Sequence, residues 1–327
     1  MTRKTLLGGV ALAAFAATIA APIAAAAPAV TADVVDGTLH IQGSSFAEKI
    51  ALRLSAVDRT QLQVDVGDDG SADFSFDLNT FSAIDVKAGN GNDTVRIDQV
   101  NGIFTTTEAT RIDGQNGDDT LTGGTGNEVF VGGRGNDLVD GNGGADTAFL
   151  GKGDDSFVWD PGDGSDVIEG GRGSDTMVFN GAGGNEIMAA TPVGHRVSFT
   201  RSPGGIVMDL DDVEAIDVNA LGGTDSVTVN DLGGTDLRRV NVDLAASLGG
   251  STADGAADTV NVNGTKGDDS ISADANGTAV DVSGLAAFVR IRHADPDRDR
   301  LVIDPVTGTD NVQIDPALPA LIQVSVL

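Results

Sequence analysis

The sequence predicts an all-β, elongated solenoid, and three observations predict it. First, a nine-residue phrase recurs in tandem, as in GGTGNEVFV (123–131) followed by GGRGNDLVD (132–140). A short, regular period is typical of a solenoid whose coils are each built from one small unit or a pair of them. Second, short runs of alternating apolar and polar residues, bounded by Gly, Asp and Asn, predict strands along the rest of the chain. Third, no amphipathic helical pattern follows the N-terminal segment.

The first 27 residues predict a secretory signal peptide. Arg3 and Lys4 precede an Ala-rich apolar run, which ends in small residues suited to cleavage near Ala26 or Ala27. A transmembrane anchor is the weaker interpretation, because no basic stop-transfer flank follows the run. We therefore expect a mature chain that is secreted and extracellular, free or associated with the cell surface, with no membrane insertion.

The charge of the chain favours cations as partners. Forty-nine acidic residues against 20 basic residues give a formal net charge of −29, which disfavours nucleic acid and anionic membranes. The chain contains no Cys, so disulfides do not stabilise it. A strongly acidic secreted chain repels itself unless cations neutralise it.

Residues 28–113 are expected to form an N-terminal β-rich region. The alternating runs TLHIQ (38–42) and IALRL (50–54) predict strands, and AGNGNDTVR (88–96) is one isolated copy of the phrase, with its acid at Asp93. The acidic loop DVGDDGSAD (65–73) has spacing similar to a calcium loop of EF-hand type. Position 12 of that loop is Phe76, where a bidentate Glu is needed, so we predict a polar turn.

Seven tandem copies of the phrase occupy residues 114–179. The copies are GQNGDDTLT (114–122), GGTGNEVFV (123–131), GGRGNDLVD (132–140), GNGGADTAF (141–149), LGKGDDSFV (150–158), PGDGSDVIE (161–169) and GGRGSDTMV (170–178). Their acidic residues are Asp119, Glu128, Asp137, Asp146, Asp155, Asp166 and Asp175. The first five acids are spaced by nine residues, and Trp159 and Asp160 then insert two residues.

The residue types of one unit indicate its local structure. Glycines at the first, second and fourth positions allow positive φ and turn backbone carbonyls toward one point. The last three residues are short and extended, with the middle one facing inward. Since one apolar residue per strand cannot make a core alone, neighbouring coils must stack. The predicted inward residues are Leu121, Phe130, Val139, Ala148, Phe157, Ile168 and Met177.

Stacked units bring carboxylates together. If consecutive units lie on opposite sides of a flattened coil, acids 18 residues apart are neighbours, and Asp119, Asp137 and Asp155 form one ladder. Glu128 and Asp146 begin a second ladder, which reaches Asp166 after the two-residue insertion. Carboxylates one strand spacing apart, roughly 4.8 Å, repel unless a cation lies between them. Ca²⁺ suits such a gap because it accepts a flexible shell of carboxylate and carbonyl oxygens, whereas Mg²⁺ requires stricter geometry.

The phrase resembles the repeats-in-toxin (RTX), or hemolysin-type, calcium-binding repeat, GGxGxDxUx. The resemblance covers residues 114–179, with one further copy at 88–96, and implies a parallel β-roll that binds several Ca²⁺ ions. It departs from the family pattern at Glu128, Gln115, Asn142, Leu150 and Pro161. Matched position by position, it implies as metal ligands Asp93, Asp119, Glu128, Asp137, Asp146, Asp155, Asp166 and Asp175, with turn carbonyls near Gly117, Gly123, Gly126, Gly132, Gly135, Gly141, Gly144, Gly153, Gly164 and Gly173.

Residues 180–327 are expected to form a C-terminal β-rich region that continues the solenoid. Alternating runs such as RVSFT (196–200) and SVTVN (226–230) predict its strands. Degenerate turns recur at Asp225, Asp269 and Asp310, but their neighbours lack most of the glycines. We therefore predict solvated structural turns at these three residues rather than metal sites.

The sequence predicts a secreted calcium-binding protein and no enzyme. It contains no HExxH, no GxSxG and no Cys nucleophile, and its three histidines lie far apart. Carboxylate pairs such as those of glycosidases carry no weight among 49 acids, and a single Trp with no Tyr offers little stacking surface for sugars. Two alternatives remain: a surface or matrix adhesin or structural spacer that uses Ca²⁺ only for stability, and a polysaccharide-active β-helix enzyme.

Overall fold

A computed structural model describes residues 30–327, so the predicted signal peptide lies outside the described residues. These residues form 28 strands and two 3₁₀ helices, Leu78–Thr80 and Leu318–Ala320. The strands assemble into two sheets of 14 strands each. The expectation of an all-β solenoid is confirmed, and none of the described residues lies in a helix that could span a bilayer.

The strands are short, as units of nine residues require. The first fourteen are β1 (Thr31–Val35), β2 (Thr38–Gln42), β3 (Lys49–Leu54), β4 (Gln61–Val66), β5 (Phe74–Asp77), β6 (Ala83–Asn90), β7 (Thr94–Asp98), β8 (Ala109–Asn116), β9 (Thr120–Thr122), β10 (Glu128–Arg134), β11 (Leu138–Asp140), β12 (Thr147–Lys152), β13 (Ser156–Trp159) and β14 (Val167–Arg172). The others are β15 (Thr176–Asn180), β16 (Ile187–Val193), β17 (Arg196–Ser202), β18 (Ile206–Asp211), β19 (Ala215–Asn219), β20 (Ser226–Val229), β21 (Arg239–Asp243), β22 (Thr259–Asn263), β23 (Ser270–Asn276), β24 (Ala279–Ser283), β25 (Phe288–Arg292), β26 (Arg300–Asp304), β27 (Asn311–Ile314) and β28 (Gln323–Val326).

Consecutive strands of the repeat region alternate between the two sheets. One sheet has the order β1-β2-β6-β8-β10-β12-β14-β18-β17-β16-β20-β22-β26-β28, and the other has the order β27-β23-β24-β25-β21-β19-β15-β13-β11-β9-β7-β3-β4-β5. Within the repeats all pairings are parallel, and Phe130 pairs with Ala148, 18 residues on. After the two-residue insertion the offset grows to 20, because Phe157 pairs with Met177. Units two apart are therefore stacked neighbours, as predicted.

Antiparallel excursions interrupt the parallel stack outside the repeats. Strands β3, β4 and β5 form one meander, and β23, β24 and β25 form another in the same sheet. In the other sheet, β16, β17 and β18 form a third meander between the repeat region and the C-terminal strands. The flanks thus belong to the same two sheets as the repeats.

The core lies between the two sheets. All seven inward residues predicted from the repeats are at most 1% exposed. Trp159 stacks on Phe179 with ring centroids 4.1 Å apart, and Phe199 of the meander packs on Phe179. Burying one Leu or Phe side chain contributes about 1.5–3 kcal/mol, so each coil adds a small increment and stability depends on stacking many coils.

Candidate metal centre

Each repeat turn holds its acid at the point where the chain enters a strand. Before Asp137, Gly133 and Gly135 have φ of 114° and 122°, a left-handed backbone that glycine adopts without strain. Where glycine is replaced, Gln115 and Asn142 keep positive φ of 74° and 55°. A replaced second-position glycine therefore keeps the left-handed backbone at Gln115 and Asn142, whereas Gly124 and Gly126 in the unit of Glu128 do not have positive φ.

The predicted acids fall into two separate ladders, each linked by backbone hydrogen bonds. In the first ladder the N–H of Asp119 donates to Oδ1 of Asp137 at 2.9 Å, and the N–H of Asp137 donates to Oδ1 of Asp155 at 2.7 Å. The same bond joins Asp93 to Asp119 and Asp155 to Asp175. The second ladder comprises Glu128, Asp146 and Asp166, with bonds of 2.6 and 2.9 Å.

The second carboxylate oxygen of every one of these acids is buried without a hydrogen-bond partner. All eight residues are 2% exposed or less. An unpaired buried acceptor costs about 1–3 kcal/mol, and more when it is charged. The atoms concerned are Oδ2 of Asp93, Asp119, Asp137, Asp146, Asp155, Asp166 and Asp175, and Oε1 of Glu128.

The unpaired oxygen faces a space that a side chain would fill. A Cβ added to Gly132 would lie 2.5 Å from Asp137 Oδ2 and would also collide with the carbonyl oxygen of Leu150 in the next coil. A carboxylate oxygen and a backbone carbonyl oxygen thus converge at the first glycine of the unit. Hard oxygen donors of these two kinds are the ligands that Ca²⁺ takes, so the residues present fit that ion.

Burial raises the pKa of the ladder carboxylates, because the charged form loses its hydration, and neighbouring carboxylates add to the shift in most of them. The pKa of Glu128 is also raised by burial. A divalent cation would favour the ionised forms and displace these protons. The raised values are about 6 for Asp93, Asp137, Asp155 and Asp166, about 7 for Asp119 and Asp175, and about 9 for Asp146.

The residue just before each acid forms a parallel but exposed ladder. The N–H of Asn136 donates to Asp118 Oδ1 at 2.8 Å, and the N–H of Asp154 donates to Asn136 Oδ1 at 2.9 Å. Asn and Asp alternate in this exposed ladder with the same hydrogen bond, so the exposed ladder does not require charge. The two buried ladders consist only of carboxylates, which indicates that their charge has a use beyond hydrogen bonding.

Sequence reasoning missed the residues that continue the ladders. Glu48 and Glu214 extend the first ladder at its two ends, through bonds of 2.7 Å with Asp93 and Asp175. Glu186 lies in the unit GAGGNEIMA (181–189), whose Gly181, Gly184 and Met188 have the repeat spacing. That spacing was the available signal, which Ala182 and the use of Glu obscured.

The prediction of solvated turns in the C-terminal region is wrong for two of its three residues. Asp225 and Asp269 are 2% and 8% exposed, because they stack in the same ladder fashion as the repeat acids. The N–H of Glu186 donates to Asp225 Oδ1 at 2.8 Å, and the N–H of Asp269 donates to Asp310 Oδ1 at 2.9 Å. Asp310 is half-buried.

Two buried carboxylates outside the seven tandem units have an arginine partner instead. Asp65 pairs with Arg53 at 2.7 Å and accepts the N–H of Gly70 at 2.8 Å, which makes the 65–73 loop the polar turn predicted. Glu186 pairs with Arg201, whose Nε lies 2.6 Å from Oε1. Neither carboxylate has an unpaired buried oxygen.

A further acidic cluster lies beside the first ladder. Carboxylate oxygens of Asp211, Asp212 and Asp236 lie within 4.8 Å of one another. Asp212 is exposed, and Asp211 already pairs with Arg196 at 3.2 Å. Within residues 30–327 this cluster has no unpaired buried oxygen of the kind found in the ladders.

The comparison with protein families agrees with the repeat assignment. The family model of the RTX calcium-binding nonapeptide repeat (4 copies) matches residues 107–127, 122–157 and 162–188. The extracellular lipase LipA from Serratia marcescens is a similar solved structure, with 13% identity and a TM-score of 0.17. The match covers 64% of this chain and 44% of the lipase chain, so this chain matches less than half of the lipase's length. No curated protein sequence matches the chain.

The prediction that the chain is not an enzyme is contradicted by this comparison, because the similar structure is a lipase. The prediction rested on missing local motifs, yet catalytic residues are brought together by the fold from distant positions. At a TM-score of 0.17 the similarity assigns no lipase activity to this chain.

Proposed function

Since residues 107–157 and 162–188 carry RTX calcium-binding nonapeptide repeats, we propose that the protein binds several Ca²⁺ ions between stacked turns and that these ions stabilise the roll. The ligands on this proposal are the eight ladder acids, Asp93, Asp119, Glu128, Asp137, Asp146, Asp155, Asp166 and Asp175, together with turn carbonyls. The ion would supply charge neutralisation and cross-linking of neighbouring coils.

One observation carries the proposal: each of the eight acids has one oxygen that is buried and has no partner. If these oxygens were merely structural, hydrogen-bond donors would satisfy them, as they satisfy the other oxygen of the same carboxylates. Within residues 30–327, none of the eight acids forms an ion pair, whereas Glu186 pairs with Arg201. A cation from solution would offset these buried charges where the carboxylates are ionised.

Ca²⁺ fits the donor set better than the other common divalent ions. The converging donors are carboxylate and carbonyl oxygens, as at Asp137 and Leu150. Zn²⁺ favours His and Cys ligands. Mg²⁺ demands near-octahedral geometry and keeps several waters, while Ca²⁺ tolerates six to eight oxygens in flexible arrangements.

We also propose that the chain is exported and acts outside the cell, free or at the cell surface. The signal-like N-terminus supports this proposal. Extracellular calcium modules bind at about 10⁻⁴–10⁻³ M, a range in which external calcium would load the roll and calcium-poor cytoplasm would not.

The proposal is tested by isothermal titration calorimetry with CaCl₂ on calcium-depleted protein starting at residue 28, the predicted mature chain. Asp137→Asn keeps the Oδ1 that accepts the N–H of Asp119 but removes the charge and the unpaired Oδ2. We expect this variant to bind at least one ion fewer than the wild type. Asp118→Asn is the matched control, since Asp118 is exposed and its bond to Asn136 survives in the amide. Equal stoichiometry in all three proteins would refute the assignment.

A further inference from the structure

A further row of stacked acids starts at Glu186 and extends beyond the matched repeats. The N–H of Glu186 donates to Asp225 Oδ1 at 2.8 Å, that of Asp225 to Asp258 Oδ1 at 2.8 Å, and that of Asp258 to Asp299 Oδ1 at 2.9 Å. The strands that follow these acids are stacked in parallel, with Val227 paired to Val260. Four buried acids thus form a row across turns that are 33 to 41 residues apart in sequence.

The four acids differ in how their second oxygen is satisfied. Glu186 pairs with Arg201 and accepts the N–H of Ala182 at 3.0 Å. Asp299 Oδ2 accepts the N–H of Asp295 at 2.6 Å. Asp225 and Asp258 are each 2% exposed, and their Oδ2 atoms are buried with no partner. The two central acids therefore share the property that marks the repeat acids.

The turn before Asp225 also has the backbone of a repeat turn. Leu221 and Gly223 have φ of 68° and 120°, at the same offsets from the acid as Gly133 and Gly135 from Asp137. A bulky residue such as Leu rarely adopts positive φ, and it does so only where the surroundings hold it there. A Cβ added to Gly223 would lie 2.7 Å from the carbonyl oxygen of Gly184, so this turn stacks tightly on the previous one.

A third carboxylate lies at the same turn. Asp254 Oδ2 accepts the N–H of Gly223 at 3.0 Å, which joins the turn of Asp258 to that of Asp225. Within residues 30–327, ion pairs involve none of Asp225, Asp254 and Asp258. Three carboxylates without a basic partner, two of them buried, repel one another when ionised, and a cation from solution would offset that repulsion.

We propose that the turns 220–225 and 253–258 form a further divalent-cation site, outside the matched repeats, with Asp225 and Asp258 as its carboxylate ligands. Oxygen donors and the absence of His and Cys from both turns select a hard cation, with Ca²⁺ as the first choice. The inference rests on residues other than those of the repeat sites, so the two proposals stand or fall separately.

The test is hydrogen exchange of the full mature chain, followed by mass spectrometry of peptides covering β20 and β22, with and without CaCl₂. We expect calcium to slow exchange in both strands by at least tenfold. In the double variant Asp225→Asn/Asp258→Asn this protection should disappear, while calcium still protects β11 and β13 of the roll. The amides keep Oδ1 as the acceptor for Glu186 and Asp225 N–H, so the ladder itself is retained.

Controls separate this site from the roll. Asp231→Asn removes an exposed acid of the same region and should leave the protection of β20 and β22 unchanged. Protection of the roll but not of β20 and β22 in the wild type, or equal protection in the double variant, would overturn the inference. Protection of β20 and β22 without protection of the roll would support it while refuting the repeat sites.

Discussion

The central roll and two of the meanders that flank it bury carboxylates to the same depth but neutralise them differently. In the flanks, Asp65 and Glu186 each have an arginine from a neighbouring strand, Arg53 and Arg201. In the roll, Asp137 and its ladder partners form no ion pair within residues 30–327 and keep an unpaired oxygen. Burial would raise the pKa of Asp65, but Arg53 and the turn N–H groups hold that pKa below its usual range.

This difference follows from the repeat. A nine-residue unit has six positions in the turn and three in the strand, and its one buried apolar position faces the core. An arginine long enough to reach the ladder would have to replace a turn residue in every coil, where a Cβ already collides, as at Gly132. A cation from solution needs no side chain. The meander that contains Arg201 has room for one because β17 lies outside the nonapeptide pattern.

The largest expected effect is the pH dependence of the calcium-free roll. An ordinary Asp has a pKa of about 3.9, whereas burial raises the pKa to about 6 in Asp155 and about 7 in Asp119. Between these values the folded chain holds more protons than the unfolded chain, so its stability is full below about pH 4 and falls as the pH rises through the folded pKa values.

Urea unfolding of calcium-depleted protein at several pH values across this range measures the effect. The midpoint should fall as the pH rises. Saturating calcium should flatten or reverse the trend, because calcium competes with protons for the same carboxylates. A calcium-free midpoint that rises with pH would contradict the account.

Breaking an arginine pair should come next in size. Arg201→Met leaves Glu186 buried and uncompensated, and removing one partner of a buried pair costs about 3–5 kcal/mol. Urea unfolding should show this loss both with and without calcium. Arg298→Met is the control, because its pair with Asp295 is exposed and should be worth less than about 1 kcal/mol. If calcium fully restored the stability of Arg201→Met, a cation could neutralise Glu186 as it does the roll acids, which would contradict the proposed difference between the two regions.

Gly132→Ala should weaken one repeat site by filling it. The added Cβ would lie 2.5 Å from Asp137 Oδ2, and overpacking of this kind costs about 1–3 kcal/mol. We expect at least a tenfold loss of calcium affinity for one ion, measured by calorimetry. Gly183→Ala is the control, because its Cβ would meet no atom within 4 Å. Unchanged calcium affinity in Gly132→Ala would show that the ion does not bind there.

The smallest expected effect is the change in stability of Asp155→Asn, and the sign of that change depends on calcium. Asp155→Asn removes a buried charge but keeps the acceptor for the N–H of Asp137. It should stabilise the calcium-free chain by about 1 kcal/mol and reduce the stabilisation that calcium adds. Its neighbour Asp154 is exposed, so Asp154→Asn should do neither. Thermal unfolding with and without CaCl₂ separates the two variants, and a purely structural Asp155 would lose stability in both conditions.

The repeat region was predictable because its period is short. The spacing of nine predicted the stacking of alternate units, the seven buried inward residues and the division of the acids into two ladders. The two-residue insertion at Trp159 and Asp160 shifted the register from 18 to 20 without breaking either ladder, and the spacing of the acids already contained that shift.

The flanks were less predictable because tertiary stacking there replaces local period. Asp225 and Asp258 are 33 residues apart and follow turns of different composition, so no pattern in the sequence predicts that they are neighbours. Strand alternation in RVSFT (196–200) predicted β17, but not β16 or the meander that β16, β17 and β18 form. Burial of Asp225, and the pairing of Glu186 with Arg201, depend on that arrangement.

The most direct test of calcium as part of the fold is far-UV circular dichroism of the mature chain during a CaCl₂ titration after calcium removal, with MgCl₂ as the comparison. We expect a cooperative gain of β signal with calcium at neutral pH and little gain with magnesium, since the ladder carboxylates repel one another until the ion binds. A full β spectrum in calcium-free buffer at neutral pH, unchanged by the titration, would contradict it.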